Sequence, residues 1–283
     1  MEVTPSGTVK GPDDVNTTCA SSTLLDNRRT KAIDMRSIRS VLSCRSVVIG
    51  QCNLRRLHHL RTGETVRMNR PAHLPPATFF TERARPTREK PLVIMMSACL
   101  GGVGCGVDGS TNGDHTPLRS WLMRPEVRLV KFCPEDFSFG TPRMTPDSHG
   151  GNGFDVLDGK ARSLAEDGTD WTEGLVKAAY EMLDRALREK VELAILMDMS
   201  WACGSTVTYL GSRFAANKVY QKGPGVAAAV LIRAGIPVIS QRDERSLRLL
   251  HGLLDDNLCI EGTERDHWEK EWYQGYFAEH RQL

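Results

Sequence analysis

Leu92-Val93-Ile94-Met95-Met96-Ser97-Ala98-Cys99 is an unbroken apolar run that ends, within three residues, in a cysteine. Preceded by Pro91 and followed by a glycine-rich stretch, a run this short reads as a strand buried on both faces, as the inner strands of parallel sheets are. The pattern recurs twice. Val127-Arg128-Leu129-Val130-Lys131-Phe132 leads directly to Cys133, and Leu193-Ala194-Ile195-Leu196-Met197 is followed shortly by Cys203. A fourth short strand is expected at Ile236-Pro237-Val238-Ile239-Ser240. Helical spacing fills the intervals. Thr169 or Asp170 can cap a helix whose apolar positions are Leu175, Ala178, Ala179, Met182, Leu183, Ala186 and Leu187. Gly225 precedes a helix over 226–234 that Gly235 stops, and further helices are expected over 243–255 and 266–280. The aromatic stripe Trp268, Trp272, Tyr273 and Phe277 reads as packing of the last helix on the domain.

This β-α-β order predicts an α/β fold, a Rossmann-like open parallel sheet with flanking helices. Parallel strands end on one edge of the sheet, where open α/β folds bind ligands. Three thiols distant in sequence therefore converge. In an intracellular α/β protein, thiolates serve metal binding or catalysis more often than disulfides, so a metal or cluster site at the mouth of the sheet is expected.

The charge is divided unevenly along the 283 residues. Residues 1–90 carry 16 Lys and Arg against 8 Asp and Glu, a net of +8, whereas the remainder carries 21 against 27, a net of −6. The basic part shows no pattern for a domain core and reads as a mostly disordered extension over 1–90, ahead of an α/β domain over 91–283. Its Cys19, Cys44 and Cys52 lack metal-ligand spacing and read as ordinary thiols. No eighteen-residue apolar run and no apolar signal segment is present, so no membrane partner is expected and a cytoplasmic location is. Gly101, Gly102, Gly104, Gly106 and Gly109 form a loop whose backbone could approach a ligand, but it lacks the context of a dinucleotide fingerprint.

Taken in order, Ser97-Ala98-Cys99-Leu100-Gly101 with Cys105 and Asp108-Gly109, then Cys133-Pro134-Glu135, Thr141-Pro142-Arg143, Ser200-Trp201-Ala202-Cys203-Gly204 and Gly225-Val226-Ala227-Ala228 resemble the signature of the thiouracil desulfurase family, once catalogued as a domain of unknown function. The resemblance covers roughly 91–245. It implies a 4Fe-4S cluster held by three cysteines, here Cys99, Cys133 and Cys203, with the fourth iron open to the sulfur of a thiolated pyrimidine. The family's catalytic acid/base glutamate falls on Glu135 and its serine on Ser200. Iron–sulfur assembly machinery is the partner this implies.

The residue chemistry is consistent with that. Thiolates are the usual cluster ligands, and an iron with an open position can polarise a thiocarbonyl. Glu135, two residues from Cys133, could take a proton from an attacking water, and Ser200 could position that water or stabilise developing charge. Hydrolysis would release sulfide with no net electron transfer. Cys105 fits packing or support behind the ligands, Cys259 fits packing, and Arg143 could hold a loop carboxylate or the substrate.

Three departures from the family pattern concern the pocket wall. The family's usual Ser-Pro-Ser-Cys-Gly is Ser-Trp-Ala-Cys-Gly here, an Arg-Tyr pair is Gly106-Val107, and a lysine ahead of the serine is Met197. Trp201 is accordingly expected to stack on a base or close part of the pocket. Three rivals stand beside desulfuration of a free base: a non-catalytic iron–sulfur or sulfide-binding protein, a zinc protein using the same cysteines, and desulfuration of thiolated RNA nucleosides. The lack of a CxxC pair disfavours common zinc patterns. No added domain follows 245, which favours free bases, and nucleic acid is kept open as a partner only by the basic amino-terminal part.

Overall fold

A computed structural model describes residues 70–112, 116–255 and 262–280 of the chain. The first run becomes strand β1, Leu92–Ser97, with all six residues buried. It pairs in parallel with β2, Val127–Phe132, on one side and with β5, Leu193–Leu196, on the other, and β5 pairs in parallel with β8, Val238–Ser240. The order is β2-β1-β5-β8. Ser97 lies opposite Phe132 and Leu196 opposite Ser240, so the strands end together on one edge.

Alternation along the strands divides the core in two. Met95, Ala194, Leu196 and Val238 face one layer, built from α5 (Thr172–Arg188) and α6 (Val226–Arg233). Leu92, Ile94, Met96, Leu193, Ile195 and Ile239 face the other, where Leu118 and Leu122 of α2 (Thr116–Leu122) and Leu250 of α7 (Glu244–Gly252) pack. Helices on both faces explain why β1 and β5 need no polar side. β2, at the sheet's edge, is only partly buried and carries Arg128 and Lys131. The N-cap of α5 is Trp171 with no side-chain cap, in place of the expected Thr169 or Asp170; Asp170 instead closes a turn just ahead, accepting from the Thr172 N–H at 2.9 Å. Leu187, expected on its apolar face, is instead 59% exposed at the last turn.

The expected boundary at residue 90 is corrected by the packing. Leu74 and Phe80, the latter in α1 (Ala77–Thr81), are buried in the second core layer. Val238 donates its N–H to the His73 carbonyl at 3.1 Å, so residues 70–74 cover the outer edge of β8. An uncovered parallel edge would leave its N–H groups unpaired and open to other chains. Arg83 adds a salt bridge to Glu192 at 2.7 Å, just ahead of β5. The packed unit thus reaches back to about residue 70. Cys19, Cys44, Cys52 and Cys259 lie outside the described residues, as does the rest of the basic extension.

Two short antiparallel ladders escaped the sequence reading: β3 (Asp147–His149) with β4 (Arg162–Leu164), and β6 (Val207–Leu210) with β7 (Val219–Lys222). A bridge from Ser148 to Gly211 joins them. Short helices α3 (Pro134–Phe139) and α4 (Gly153–Leu157) follow β2 and β3. The carboxy-terminal part forms a single 3-10 turn, His267–Glu269, and then α8, Glu271–Glu279, with Trp268, Tyr273 and Phe277 of the expected aromatic stripe buried in the second layer and its fourth member, Trp272, 40% exposed. No helix among the described residues is long and apolar enough to cross a membrane.

Candidate functional site at the carboxyl edge of the sheet

Cys99 sits two residues beyond β1, in a turn whose carbonyl accepts from the Asn112 N–H at 3.1 Å and the Thr111 hydroxyl at 3.0 Å. The loop that follows is so tight that a Cβ on Gly104 would lie 2.8 Å from the Gly109 carbonyl oxygen. Only glycine allows that approach. The fold of this loop brings Cys105 back beside Cys99. Cys133 comes from the end of β2 and caps α3, its sulfur accepting from the Asp136 N–H at 3.4 Å. Cys203 leaves the β5 edge through a turn in which its own N–H is held by the Ser200 hydroxyl at 3.3 Å.

The thiols feel one another. A hydrogen bond from the Cys105 thiol, helped by Asn112 and working against burial, lowers Cys99 to about 7. The same thiol is the main cause of the lowered pKa of Cys133. Cys105 itself is driven up by its hydrogen bonds to Cys133 and Cys99, so it keeps its proton. Burial raises Cys203, and the sulfurs of Cys133 and Cys99 add to that rise. Cys105 therefore lies between Cys99 and Cys133 as a hydrogen-bond donor, and Cys203 is near enough to feel both of those sulfurs. Several thiolates this close repel one another unless a bound cation compensates them.

Among the described residues, no group of three or more His, Cys, Asp or Glu is gathered tightly enough to hold a single metal ion. A cluster of several irons spaces its thiolates more widely than one ion does, and an all-sulfur donor set is the chemistry such clusters take. Cys99, Cys133 and Cys203 fit that group.

Glu135 and Ser200, distant in sequence, come together beside these sulfurs. Glu135 lies on the first turn of α3 and is 8% exposed. One carboxylate oxygen takes a hydrogen bond from Arg143 Nη2 at 2.8 Å, and the other is reached by the Ser200 hydroxyl at 3.5 Å, the outer limit of such a bond. Arg143 is the residue whose reach the sequence did not reveal. Its guanidinium also donates to the carbonyls of Cys105 at 3.0 Å and Gly140 at 3.1 Å, while its N–H bonds the Val107 carbonyl at 2.8 Å. It thereby ties the Cys99–Cys105 loop to the helix that carries Cys133 and Glu135. Of its two expected roles, the structure shows the carboxylate partner.

Trp201 corrects an expectation. Its ring is 5% exposed within the first core layer, and its indole N–H donates to the Ser163 hydroxyl at 2.9 Å. It is committed to packing and presents no face to a base. Residues Asp198 and His267 were also missed. His267 reaches the β5 edge from the carboxy-terminal part, a long-range pairing with no local motif.

The chain is similar to known proteins. YbbK of Bacillus subtilis strain 168, an uncharacterized protein, is 36% identical over 152 residues, which are 53% of this chain and 97% of that one. A solved structure of a 4Fe-4S-dependent thiouracil desulfidase is 31% identical, covering 56% of this chain and 97% of its own with a TM-score of 0.47. The sequence model described as 2-thiouracil desulfurase matches residues 94–243, a span of 150 of the 283 residues. That span is more than half of the chain and takes in Cys99, Cys105, Cys133, Glu135, Arg143, Ser200 and Cys203, so the protein belongs to the 2-thiouracil desulfurase family, enzymes that cleave a carbon–sulfur bond.

Proposed function

We propose that the protein removes sulfur from a thiolated pyrimidine of the thiouracil type by hydrolysis, without net electron transfer, at a 4Fe-4S cluster held by Cys99, Cys133 and Cys203. The observation that carries this reading is the placement of the Glu135 carboxylate between Arg143 and Ser200, within the field of the gathered thiols. When bound, the cluster supplies an iron with an open position, a Lewis acid for the thiocarbonyl sulfur.

The protein's own groups do the rest. Arg143 fixes one oxygen of Glu135, leaving the other turned toward Ser200 and free to accept a proton from water. Ser200 orients that water, and its hydroxyl can donate to charge that develops on the base. The water oxygen bonds to the ring carbon as one of its protons passes to Glu135 and the thiocarbonyl becomes a carbon–sulfur single bond; the second water proton moves to sulfur, and that single bond breaks as the carbonyl closes, so that sulfur departs with both electrons as hydrosulfide. The proton held on Glu135 is then returned to the product or solvent. The all-parallel sheet with helices on both faces supports a Rossmann-like reading of the scaffold, and a cytoplasmic enzyme loaded by iron–sulfur assembly proteins is the setting that suits it.

Anaerobic reconstitution with iron and sulfide, followed by sulfide release from 2-thiouracil and 4-thiouracil, tests the proposal. Catalytic release of sulfide with formation of uracil is expected. A brown, iron-loaded protein that turns over neither base would overturn it in favour of a non-catalytic cluster or sulfide-binding protein.

A further inference from the structure

Residues 262–280 lie beyond the family span, which ends at 243, yet they pack against the same sheet edge as the thiols. The loop they meet is the one that carries Ser200 and Cys203. It starts at Asp198, whose N–H is held by the Gln241 side-chain oxygen at 2.8 Å. Its next residue, Met199, is held at φ 58°, in the left-handed region that a residue with a Cβ rarely adopts. Such a conformation persists only where surroundings enforce it.

Thr208 bridges to Met199, and the carboxy-terminal part meets the loop at the residue before it, Asp198. The Asp198 side chain is fully buried, and neither of its oxygens has a hydrogen-bond partner of good geometry. His267 Nδ1 lies 2.5 Å from Asp198 Oδ2 and is the polar group that pairs with that carboxyl. His267 is itself fixed at several points. Its N–H donates to Asp243 at 2.9 Å, and its ring stacks on Trp272 with centroids 5.4 Å apart. Asp266 takes hydrogen bonds from the N–H and hydroxyl of Ser246, each 2.8 Å. Glu269 pairs with Arg245 at 2.6 Å, and Tyr276 accepts from the Tyr220 N–H at 2.9 Å. Removing His267 would strand a buried carboxyl, and the cheapest relief is for the 198–203 loop to move it toward water.

We infer that residues 262–280 fasten the Ser200–Cys203 loop to the sheet through the Asp198–His267 contact, and that Asp198 and His267 are positioning residues for the reaction at that loop. Ser200 lies two residues from the fastening point, and its hydroxyl must stay in reach of Glu135 for the chemistry proposed above, on which the kinetic part of this inference rests. Neither residue touches substrate in this role. Each acts through the loop.

The test uses the full-length chain and three variants, His267→Leu, His267→Asn and Asp198→Asn. His267→Asn keeps an N–H donor near the place of Nδ1, so it is the conservative rescue. Amide hydrogen exchange needs no cluster and is read first. His267→Leu and Asp198→Asn should speed exchange across 197–206 while leaving 172–188 unchanged, and His267→Asn should restore much of the protection. In the reconstituted proteins, iron content should hold, kcat for sulfide release should fall by roughly 10- to 100-fold, and KM should stay within about twofold, as for lost alignment rather than lost binding. The double variant His267→Leu/Asp198→Asn should be no slower than the slower single variant, because the two act as one unit. Unchanged exchange in 197–206, or multiplicative losses in the double variant, would overturn the inference. Should His267→Leu fail to fold, Asp198→Asn and His267→Asn still decide it. An inactive wild type would remove the desulfidase reading and leave the exchange measurements to judge the fastening alone.

Discussion

On the proposed reading, Glu135 and the three strand-end cysteines answer to different measurements, because a ligand builds the site and a general base uses it. Alanine at Cys99, Cys133 or Cys203 should abolish stable iron binding, since two thiolates rarely hold a cubane, whereas Cys105→Ala should leave most of the iron in place. Glu135→Gln should keep the iron and the cluster's absorption and lose sulfide release by roughly two to four orders of magnitude, the usual scale for general acid–base catalysis. The glutamine amide oxygen can still accept from Arg143, so the buried guanidinium is not left without any partner. Turnover per bound iron distinguishes the two classes, and near-normal turnover in Glu135→Gln would take the carboxylate out of the mechanism. At this scale the proposed ligands, Glu135 and Ser200 could be nominated from strand ends and short ordered motifs, and the structure brings Ser200 to the Glu135 carboxylate. Arg143 was only half legible: Thr-Pro-Arg marks it, but no spacing announces that a guanidinium 38 residues from Cys105 will clamp that residue's carbonyl. Trp201 was misread because a large aromatic beside a ligand suits either a pocket wall or a core, and only the Ser163 partner, 38 residues away, decides between them.

At the level of elements, the strands were read well for a physical reason: burial on both faces leaves an apolar run that no surface helix would show. The ladders β3–β4 and β6–β7 were not, because strands of three or four residues with polar members carry too little period to register. The carboxy-terminal helix was legible by its aromatic stripe, but the acidic group it buries was not. Asp243 is fully buried, accepting from the Ser240 N–H at 2.6 Å and the His267 N–H at 2.9 Å, with Asp198, Asp266 and His267 around it. Burial first, and then the carboxyls of Asp266 and Asp198, push Asp243 up to about 6 from an ordinary 3.8. A raised carboxyl means that the folded protein holds a proton the unfolded chain has released, so its contribution to stability grows as pH falls from about 6 toward 3.8 and is lost as pH rises through 6. A shift of this size corresponds to on the order of 3 kcal/mol. Urea unfolding at about pH 7 and about pH 5 should therefore show wild type gaining stability on acidification relative to Asp243→Asn, which has no such proton to take up. An identical pH response in both proteins would rule out a raised Asp243.

For the whole molecule, the informative boundary is the one that composition misplaced. Charge and low apolar periodicity put the start of the domain at 91, because residues 70–90 contain four prolines and several basic groups and carry their core contacts on isolated side chains rather than on a periodic face. Three-dimensional packing gives those isolated residues their weight. Leu74 and Phe80 are 2% and 8% exposed in the second core layer, the His73 carbonyl pairs with the edge of β8, and Arg83 meets Glu192 beside β5. Burying one such apolar side chain contributes about 1.5–3 kcal/mol, so the two together supply a large part of a stability that for most domains is about 5–15 kcal/mol. Two truncations separate the readings. A protein beginning at residue 70 keeps every one of these contacts and should match the full-length chain in thermal midpoint and iron content. One beginning at residue 89 uncovers the β8 edge and opens the second core layer, and should aggregate or melt well below it. Equal stability of the two truncations would show that residues 70–88 contribute nothing to the domain, whatever their burial.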